Sequence, residues 1–536
     1  MATKTVKPLL MAGTIALIIS AAMLAPQQGE AIPAFARQYQ TSCTTCHSDF
    51  PKLNDFGKAF KDAGFKFPSD DETFIKVPPT MLGAEQQKQL WPKVVWPGSI
   101  PGMPPIGLRM NSFFQVMGKN RGAFDVLTTP PGTVPGSFVP RTDFQTGLFS
   151  IFTAGNFGSD IAFWVDEDFS VGGDNTAGGL GDGYLKFHNI GRFLHLPKDS
   201  LSLRAGQFEL DLPFSAARSY NISGWDIYDQ ANLGSLHTVF PQQFVNNSFA
   251  FSGAGQGIEL SGGHQYGGYH YSLAVINQNT GGTPDTGTFV PTANGVGFMS
   301  DSNFKDLYAR FSYRFNLERD SQSRNAVQAA GATGPRDHTY LTLGTYYFYG
   351  RSVQRVSGLD ALLNPTVLTA REPFYRVGGD FNFNYRNFNL YGLYMYGHDK
   401  NLLPVDALGN PVPLPPVPGV AIGYASGIPA TFSGGFVQAD YLLYPWMMLI
   451  MRYDGVNSNA DRLNGSVLGP AAFPNPFAST RNRFTPGVQF LIHANIKASF
   501  EYQIRPQQTV TYDPVTQLPT NPFRTNSAVV ALEWVY

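Results

Sequence analysis

The run Leu307-Tyr-Ala-Arg-Phe-Ser-Tyr-Arg-Phe-Asn-Leu317 alternates two sets of side chains with a period of two. One set is apolar and comprises Leu307, Ala309, Phe311, Tyr313 and Phe315. The other is mostly polar and comprises Tyr308, Arg310, Ser312, Arg314 and Asn316. Because successive side chains of a strand point to opposite faces, this pattern predicts a strand with one face toward lipid and the other toward a polar lumen.

Similar runs recur along most of the chain. We count about sixteen strands of roughly ten residues, the length expected of a tilted barrel strand. They are predicted to begin near residues 107, 144, 159, 181, 200, 247, 267, 304, 337, 373, 387, 432, 446, 482, 494 and 526. The pattern predicts a mainly β fold: an antiparallel, porin-like outer-membrane β-barrel, with a soluble β-sandwich as the alternative.

The connections between these runs mostly alternate between long and short, as in outer-membrane barrels. The long ones are residues 118–143, 210–246, 279–303, 399–431, 456–481 and 506–525, and tight returns fall at Arg386, Tyr444-Pro445 and His493. Residues 318–336 are too long for a short turn, which suggests a miscounted strand there. Aromatic clusters at 346–349 and 441–446 resemble the girdles that lie at membrane interfaces.

The N-terminus predicts export. Lys4 and Lys7 precede an apolar run at 9–25, and small residues follow near Ala31, so residues 1–31 read as a cleaved signal peptide. Without Lys4, Lys7 and Glu30, the 38 basic and 39 acidic residues of the chain become 36 and 38. This near-neutral balance favours no nucleic-acid partner, and no later run offers about 18 uninterrupted apolar residues for a spanning helix.

The only two cysteines stand in Cys43-Thr-Thr-Cys46-His47. This spacing predicts covalent attachment of one haem c, with thioether bonds to Cys43 and Cys46 and His47 as an axial iron ligand. A disulfide, half a zinc site or a thioredoxin-like redox pair are the alternatives. No second Cys/His pair completes a zinc site, and no βαβ pattern surrounds the motif.

Residues 32–106 form the predicted haem segment, and residues 107–536 form the barrel. After the motif, apolar residues at spacings of three and four predict an amphipathic helix ending at Gly64: Phe50, Leu53, Phe56, Phe60 and Ala63. This stripe would cover a porphyrin face or pack on protein. In the stiff loop 96–105, Met103 is the candidate sixth ligand, since small bacterial cytochromes c carry a comparable Met-Pro-Pro loop. Met81, Met110, a distal histidine or an open position are alternatives.

The stretches Ile32-Pro-Ala-Phe-Ala-Arg-Gln38, Cys43-Thr-Thr-Cys-His47 and Leu53-Asn-Asp-Phe-Gly-Lys-Ala-Phe60 resemble the start of the outer-membrane monohaem cytochrome-porin fusions of iron-oxidising bacteria. The resemblance covers about thirty residues. It implies a haem segment followed by a sixteen-stranded porin, and carries over Cys43 and Cys46 as attachment sites and His47 as axial ligand. It also implies electron transfer from extracellular Fe(II) to periplasmic carriers.

The expected function is therefore an outer-membrane electron conduit, an Fe(II)-oxidising oxidoreductase whose haem segment lies toward the periplasm or in the lumen. Its expected partners are Fe(II) or another extracellular donor or acceptor, a periplasmic cytochrome c or cupredoxin, and outer-membrane lipid. The alternatives are a diffusion porin whose haem segment docks a partner, outward electron transfer to an external acceptor, and a soluble periplasmic haem protein. Asp166-Glu167-Asp168 could offer carboxylates to iron, although a rim or lumen cluster is the simpler interpretation.

Overall fold

The computed structural model describes most of the predicted strands and part of the N-terminal segment. The described residues are 34–39, 41, 45–49, 52–67, 80–81, 89–90, 99–100, 106–117, 142–157, 160–169, 179–215, 219, 221–230, 254–277, 279–280, 283–284, 288–292, 295–299, 304–317, 339–359, 365–400, 429–458, 480–493, 495–504 and 526–536. The predicted signal peptide, Cys43, Phe50 and Met103 lie outside them.

Sixteen strands form one closed antiparallel barrel. In chain order, β1 to β16 are Ile106–Met117, Thr142–Phe157, Ile161–Phe169, Gly179–Phe187, Ser202–Glu209, Ala254–Gly263, Gly268–Asn277, Lys305–Asn316, Tyr340–Leu359, Pro365–Tyr385, Phe388–Asp399, Ala430–Tyr444, Met447–Ser458, Thr480–His493, Ile496–Gln503 and Ser527–Val535. Each strand pairs with its neighbours in sequence, and β16 closes the ring on β1 through pairs such as Val535 with Arg109.

The two faces of the barrel follow the alternation in the sequence. On β8, Asp306, Tyr308, Arg310, Ser312 and Arg314 are buried, whereas Leu307, Phe311, Tyr313 and Phe315 are 42 to 50% exposed. A closed barrel with an apolar exterior satisfies its backbone hydrogen bonds internally, which is the condition for crossing a membrane with strands. The chain is therefore a porin-like outer-membrane β-barrel.

The predicted number of strands is confirmed, and the predicted starts fall within three residues of the observed ones except for β10. The predicted start of β6, near 247, lies outside the described residues, and β6 is described from Ala254. Strand β10 begins at Pro365 rather than near 373 because β9 and β10 extend past their other neighbours as a long hairpin. Residues from Phe374 onward also pair with β11, so the prediction found only the part of β10 that lies in the barrel wall.

No strand is miscounted at 318–336, because β8 and β9 pair directly through Asn316 and Tyr340. The aromatic run 346–349 is not one girdle, since alternation turns Tyr346 and Phe348 into the lumen and leaves Tyr347 46% exposed. By contrast, Tyr441, Tyr444 and Trp446 are all exposed near the short-turn end of the barrel.

In the part of the chain that the structure describes, three α-helices are separate from the strands of the wall: α1 at Ala34–Tyr39, α2 at Asp55–Asp62 and α3 at Asp226–Gln230. A 3-10 helix spans Ile190–Leu194. Four two-stranded ribbons pair His47–Asp49 with Lys52–Leu53, Thr80–Met81 with Ser99–Ile100, Asn279–Thr280 with Thr283–Pro284, and Thr288–Thr292 with Gly295–Met299. Among the described residues, no helix is both long and apolar enough to cross a bilayer.

Candidate functional site

Two of the four predicted haem residues are described. Cys46 is partly buried, and His47 starts the ribbon that leads into α2 and is also partly buried. The predictions for Cys43 and Met103 stay untested. Of the alternative sixth ligands, Met110 lies within β1 and Met81 within a ribbon.

The backbone of Cys46 is fixed by the residues that begin α2. The Asn54 backbone N–H donates to the Cys46 carbonyl oxygen at 2.9 Å, and the Asn54 side-chain amide donates to the Thr45 carbonyl oxygen at 3.0 Å. The Asn54 side-chain oxygen also accepts from the Gly57 N–H at 2.8 Å, which caps the helix. The predicted helix therefore begins at Asp55, after Leu53, and ends before Gly64, whose φ is +83°.

Gly57 is where α2 approaches the motif most closely. A Cβ atom at this position would lie 2.1 Å from the Cys46 carbonyl oxygen and 2.9 Å from its carbonyl carbon. Helix propensity alone would make Gly57→Ala stabilising by up to about 1 kcal/mol. Because the clash is with backbone, we expect the substitution instead to destabilise the folded segment by about 1–3 kcal/mol.

This expectation for Gly57→Ala is checked by hydrogen exchange of the α2 amides in the purified protein. Faster exchange of these amides, with unchanged exchange in the barrel strands, is the expected result. Slower exchange would mean that propensity outweighs the contact with Cys46.

The apolar stripe of α2 packs on protein. The Phe60 ring lies 5.1 Å from the Phe35 ring and 5.6 Å from the Tyr39 ring, both edge-on. Phe67 stacks on Tyr39 at 4.3 Å, and Phe65 lies 5.5 Å from Trp164 on β3. The stripe thus joins α1, α2 and the barrel wall, which favours packing on protein over covering a porphyrin.

Ion pairs hold the same segment on the other side of the barrel. The Arg314 guanidinium donates to both Asp55 carboxylate oxygens, at 2.7 and 2.6 Å, and stacks 3.5 Å over the Tyr340 ring. The Lys52 ammonium donates to the Asn389 side-chain oxygen at 2.5 Å and lies 3.7 Å from Asp440. Burial lowers the pKa of Lys58, against the opposing attraction of Asp55.

These contacts reach across the lumen. Trp164 lies on β3 and Asp440 on β12, and these strands are nearly opposite in the ring of sixteen. Arg314 lies two residues from the end of β8 at Asn316, so the contacts belong to the end of the barrel that carries the chain termini. We call residues 34–67 the N-terminal plug.

His188, in the β4–β5 connection, packs against the plug. Its Nε2 atom would be 2.8 Å from a Cβ on Gly64, and burial, aided by Lys186 and Lys66, lowers its pKa from 6.5 to about 3. A buried neutral histidine stabilises above its ordinary pKa, and this contribution is lost as the pH falls from 6.5 toward 3.

We therefore expect plug packing to weaken by at most about 5 kcal/mol over that interval. Limited proteolysis of the plug at a series of pH values measures this change. His188→Gln, which cannot be protonated, should flatten the pH dependence. An equally steep dependence in this variant would assign it to other groups.

A second segment of the chain crosses the lumen, at a level farther from the barrel end that carries the chain termini. Residues 210–215 and 221–230 belong to the connection predicted as an outside loop, but they fold inward and contact the far wall. Glu501 on β15 accepts from the backbone N–H groups of Ile222 and Ser223 at 2.7 and 3.1 Å. Arg452 on β13 donates to the Ser223 carbonyl oxygen at 2.9 Å. We call residues 210–230 the inner loop.

The inner loop contributes both charged and large apolar side chains to the lumen. Arg483 lies 3.3 Å from Asp226 and 3.1 Å from Asp454, and all three side chains are almost fully buried. Trp225 stacks on Phe436 at 4.7 Å. Apolar inward residues such as Phe348, Phe374 and Met395 are buried at this level. Charged inward residues such as Arg376, Arg452 and Asp454 are buried beside them, so the inner face that alternation predicts as polar is mixed here.

A polar cavity of about 210 Å³ remains between the plug, the inner loop and the wall. His270 Nε2 lies 2.9 Å from Asp211 Oδ2 in its lining, and Lys61, Asp62 and Arg204 also line it. His264 lies in the connection between β6 and β7, and His270 lies on β7.

Of the haem motif, the structure describes one thiol and the imidazole, which are donor groups of the kinds that haem c requires. A thiol and an imidazole follow each other at Cys46 and His47, only partly buried, on a backbone that Asn54 and Gly57 hold in place. Within the described part of the chain, no three His, Cys, Asp or Glu side chains converge on a metal position. Asp166 instead accepts a hydrogen bond from the backbone of Asp182 on the neighbouring strand.

Comparisons with known proteins add only distant similarity. No family model matches the sequence, and no curated protein matches it. Among solved structures, the chain is similar to OmpT, an outer membrane protein of Vibrio cholerae, with 8% identity, a TM-score of 0.40, and 81% of this chain and 99% of that chain covered. Salmonella typhi OmpF is 10% identical with a TM-score of 0.43, and the match covers 81% of this chain and 97% of that chain. An anion-selective porin from Comamonas acidovorans is 9% identical with a TM-score of 0.42, and the match covers 81% of this chain and 99% of that chain.

The residues that sequence reasoning missed are those that fill the lumen. Asn54 and Gly57 carried a signal, since an Asn three residues before a helical N–H is a capping pattern. For Arg314 and Glu501, the sequence indicates only that their side chains face the inside of the barrel. Nothing local to residues 210–230 distinguishes an inward fold from an outside loop.

Proposed function

We propose that the protein conducts electrons rather than solutes across the outer membrane. The observation that carries this proposal is that two bodies of the chain, the plug and the inner loop, each reach from one wall of the barrel to the other. Sixteen-stranded barrels normally leave an aqueous channel. The plug and the inner loop both occupy part of that space, and the plug contains the predicted haem motif.

In this function, Cys43 and Cys46 would hold haem c, with His47 as axial ligand and Met103 as candidate sixth ligand. When bound, haem c supplies a one-electron couple between the ferric and ferrous states. The chain's own residues do the rest. Asn54 and Gly57 fix the Cys46 backbone, and Arg314 and Lys52 hold the plug to the wall.

The reaction is a one-electron transfer. Extracellular Fe(II) is oxidised to Fe(III), and a periplasmic cytochrome c or cupredoxin is reduced by the same electron. The protein would then be an Fe(II)-oxidising oxidoreductase of the kind its N-terminal stretches resemble. The same architecture could instead deliver electrons outward to an external acceptor, which reverses the donor and acceptor but changes no residue role.

A diffusion porin is the second candidate, favoured by the barrel itself and by the polar cavity beside the plug. Its lining includes Lys61, Lys186 and Arg204 together with Asp62 and Glu259, so hydrated ions would find both charges there. In this candidate the haem segment docks a periplasmic partner and the lumen conducts. Steady ion conductance of the purified protein would favour it.

The proposal is tested by mixing the purified oxidised protein with Fe(II) and following the haem absorbance bands by stopped flow. Reduction whose rate rises with Fe(II) concentration is the expected result. A protein that is reduced by dithionite but not by Fe(II) would exclude Fe(II) as the donor. A protein without haem bands would exclude the conduit altogether.

A further inference from the structure

The β4–β5 connection, residues 188–201, differs from the other short-end turns that the structure describes. Arg386-Asn387 and Pro445-Trp446 are two-residue turns, whereas this connection builds the 3-10 helix Ile190–Leu194. Asn189, His195 and Asp199 all take left-handed backbone angles, with φ between 56° and 62°. The Gly191 N–H donates to the Leu201 carbonyl oxygen and the Leu196 N–H to that of Gly191, so the connection is a built loop.

This loop presents bulky apolar side chains instead of burying them. Phe193 is 71% exposed, Leu194 66% and Leu196 44%. Arg192, His195 and Lys198 are exposed beside them, and Arg192 also pairs with Asp160 in the next turn. Exposed contiguous apolar groups bordered by basic ones mark a contact surface.

The base of the loop is tied to the lipid-facing side of the barrel. Tyr269, Leu273 and Val275 on β7 are exposed, so Tyr271 shares their outward phase. The Tyr271 hydroxyl donates to the Ser200 carbonyl oxygen at 2.7 Å. To do so, the Tyr271 side chain reaches across Gly262, its pairing partner on β6. The Ser200 end of the loop therefore lies on the face that meets lipid, whereas His188 at its other end packs against the plug.

Exposed aromatic side chains form a belt around the short-turn end of the barrel. Outward residues at this end are exposed on several strands: Phe157, Phe315, Tyr385, Tyr444, Trp446 and Tyr536. On β4 and β5 the corresponding Phe187 and Leu203 are only partly exposed. The loop connects these two strands, so its exposed apolar side chains lie next to the belt.

We propose that residues 190–198 form a membrane-interface anchor. Phe193, Leu194 and Leu196 insert at the acyl boundary of the leaflet on the short-turn side, and Lys198, with Arg192, contacts phospholipid phosphate groups. Aromatic and basic side chains are the pair that fixes proteins at this depth of a bilayer. The anchor does not depend on haem or on the direction of electron flow.

The test uses the full-length protein reconstituted in vesicles, with the variant Phe193→Trp. The emission of the added tryptophan is obtained by subtracting the emission spectrum of the parent protein from that of the variant. Both spectra are recorded in matched vesicles with and without brominated acyl chains. Blue-shifted emission that brominated lipid quenches is the expected result. Phe67→Trp is the control, because that ring is buried among Tyr39, Phe56 and Phe60 in the lumen and should not be quenched.

Lipid charge tests the basic part of the anchor. Quenching should be stronger in phosphatidylglycerol than in phosphatidylcholine vesicles, and Lys198→Gln should reduce that difference. Unquenched, water-like emission from Phe193→Trp would overturn the proposal. Emission that shifts only after a purified acidic cytochrome c is added would overturn it in favour of a protein-docking surface.

Discussion

Cys46→Ala is expected to give a barrel that folds and reaches the outer membrane but retains little or no covalently bound haem. One of the two thioether bonds cannot form, and the position directly before His47 loses its covalent tie. Haem staining of a denaturing gel and the haem absorbance per protein measure the loss. Because the barrel wall begins at Ile106 and pairs strand to strand without the residues before it, its heat-modifiable migration should not change.

Thr44→Ala is the matched control for that experiment, since it changes the same motif without removing a thiol or the imidazole. It should keep the haem content of the parent protein. Parental haem content in Cys46→Ala would contradict the assignment of the motif, whereas loss of haem in both variants would point to general damage of the plug.

Removing both lumen bodies is expected to convert a closed barrel into a steady channel. The plug and the inner loop lie at different heights, because Arg314 is two residues from the end of β8 whereas Arg483 is ten residues from the end of β14. Two barriers in series keep a pore closed when only one is removed. Deleting residues 34–67 or residues 210–230 alone should therefore leave conductance low, and deleting both should open the lumen.

Planar-bilayer recordings of the parent protein and the three deletions check this expectation. Each variant is first shown to migrate as a folded, heat-modifiable barrel, so that a failure to fold is not read as closure. Large steady conductance of the parent protein would contradict the closed lumen and favour the diffusion porin. Opening by a single deletion would mean that the other body does not seal.

The wall of the barrel was largely predictable, because its signal is local. A period of two tells which residues share a face, and a run such as Leu307 to Leu317 carries that signal in a few residues. The predicted start of β10 was wrong for a non-local reason. Strand β10 continues to Pro365 only because it pairs with the extension of β9 beyond the barrel.

The contents of the lumen were much less predictable. Alternation shows that Arg314 and Glu501 face inward, but it does not show that one meets Asp55 and the other the backbone of Ile222, at sequence separations of 259 and 279 residues. The interpretation of residues 210–246 as an outside loop followed from their length, from the alternation of long and short connections, and from their composition. Pro, Gly and Asn describe an irregular backbone, and that backbone is equally suited to folding inside a barrel.

The measurement that tests the central claim most directly is electron transfer across a sealed vesicle. The purified protein is reconstituted with oxidised soluble cytochrome c trapped inside, and Fe(II) is added outside while the absorbance of the trapped cytochrome is followed. The account predicts reduction of the trapped cytochrome with the parent protein, and none with Cys46→Ala or with protein-free vesicles. Reduction that proceeds equally with Cys46→Ala, or none with haem-loaded parent protein, would contradict it.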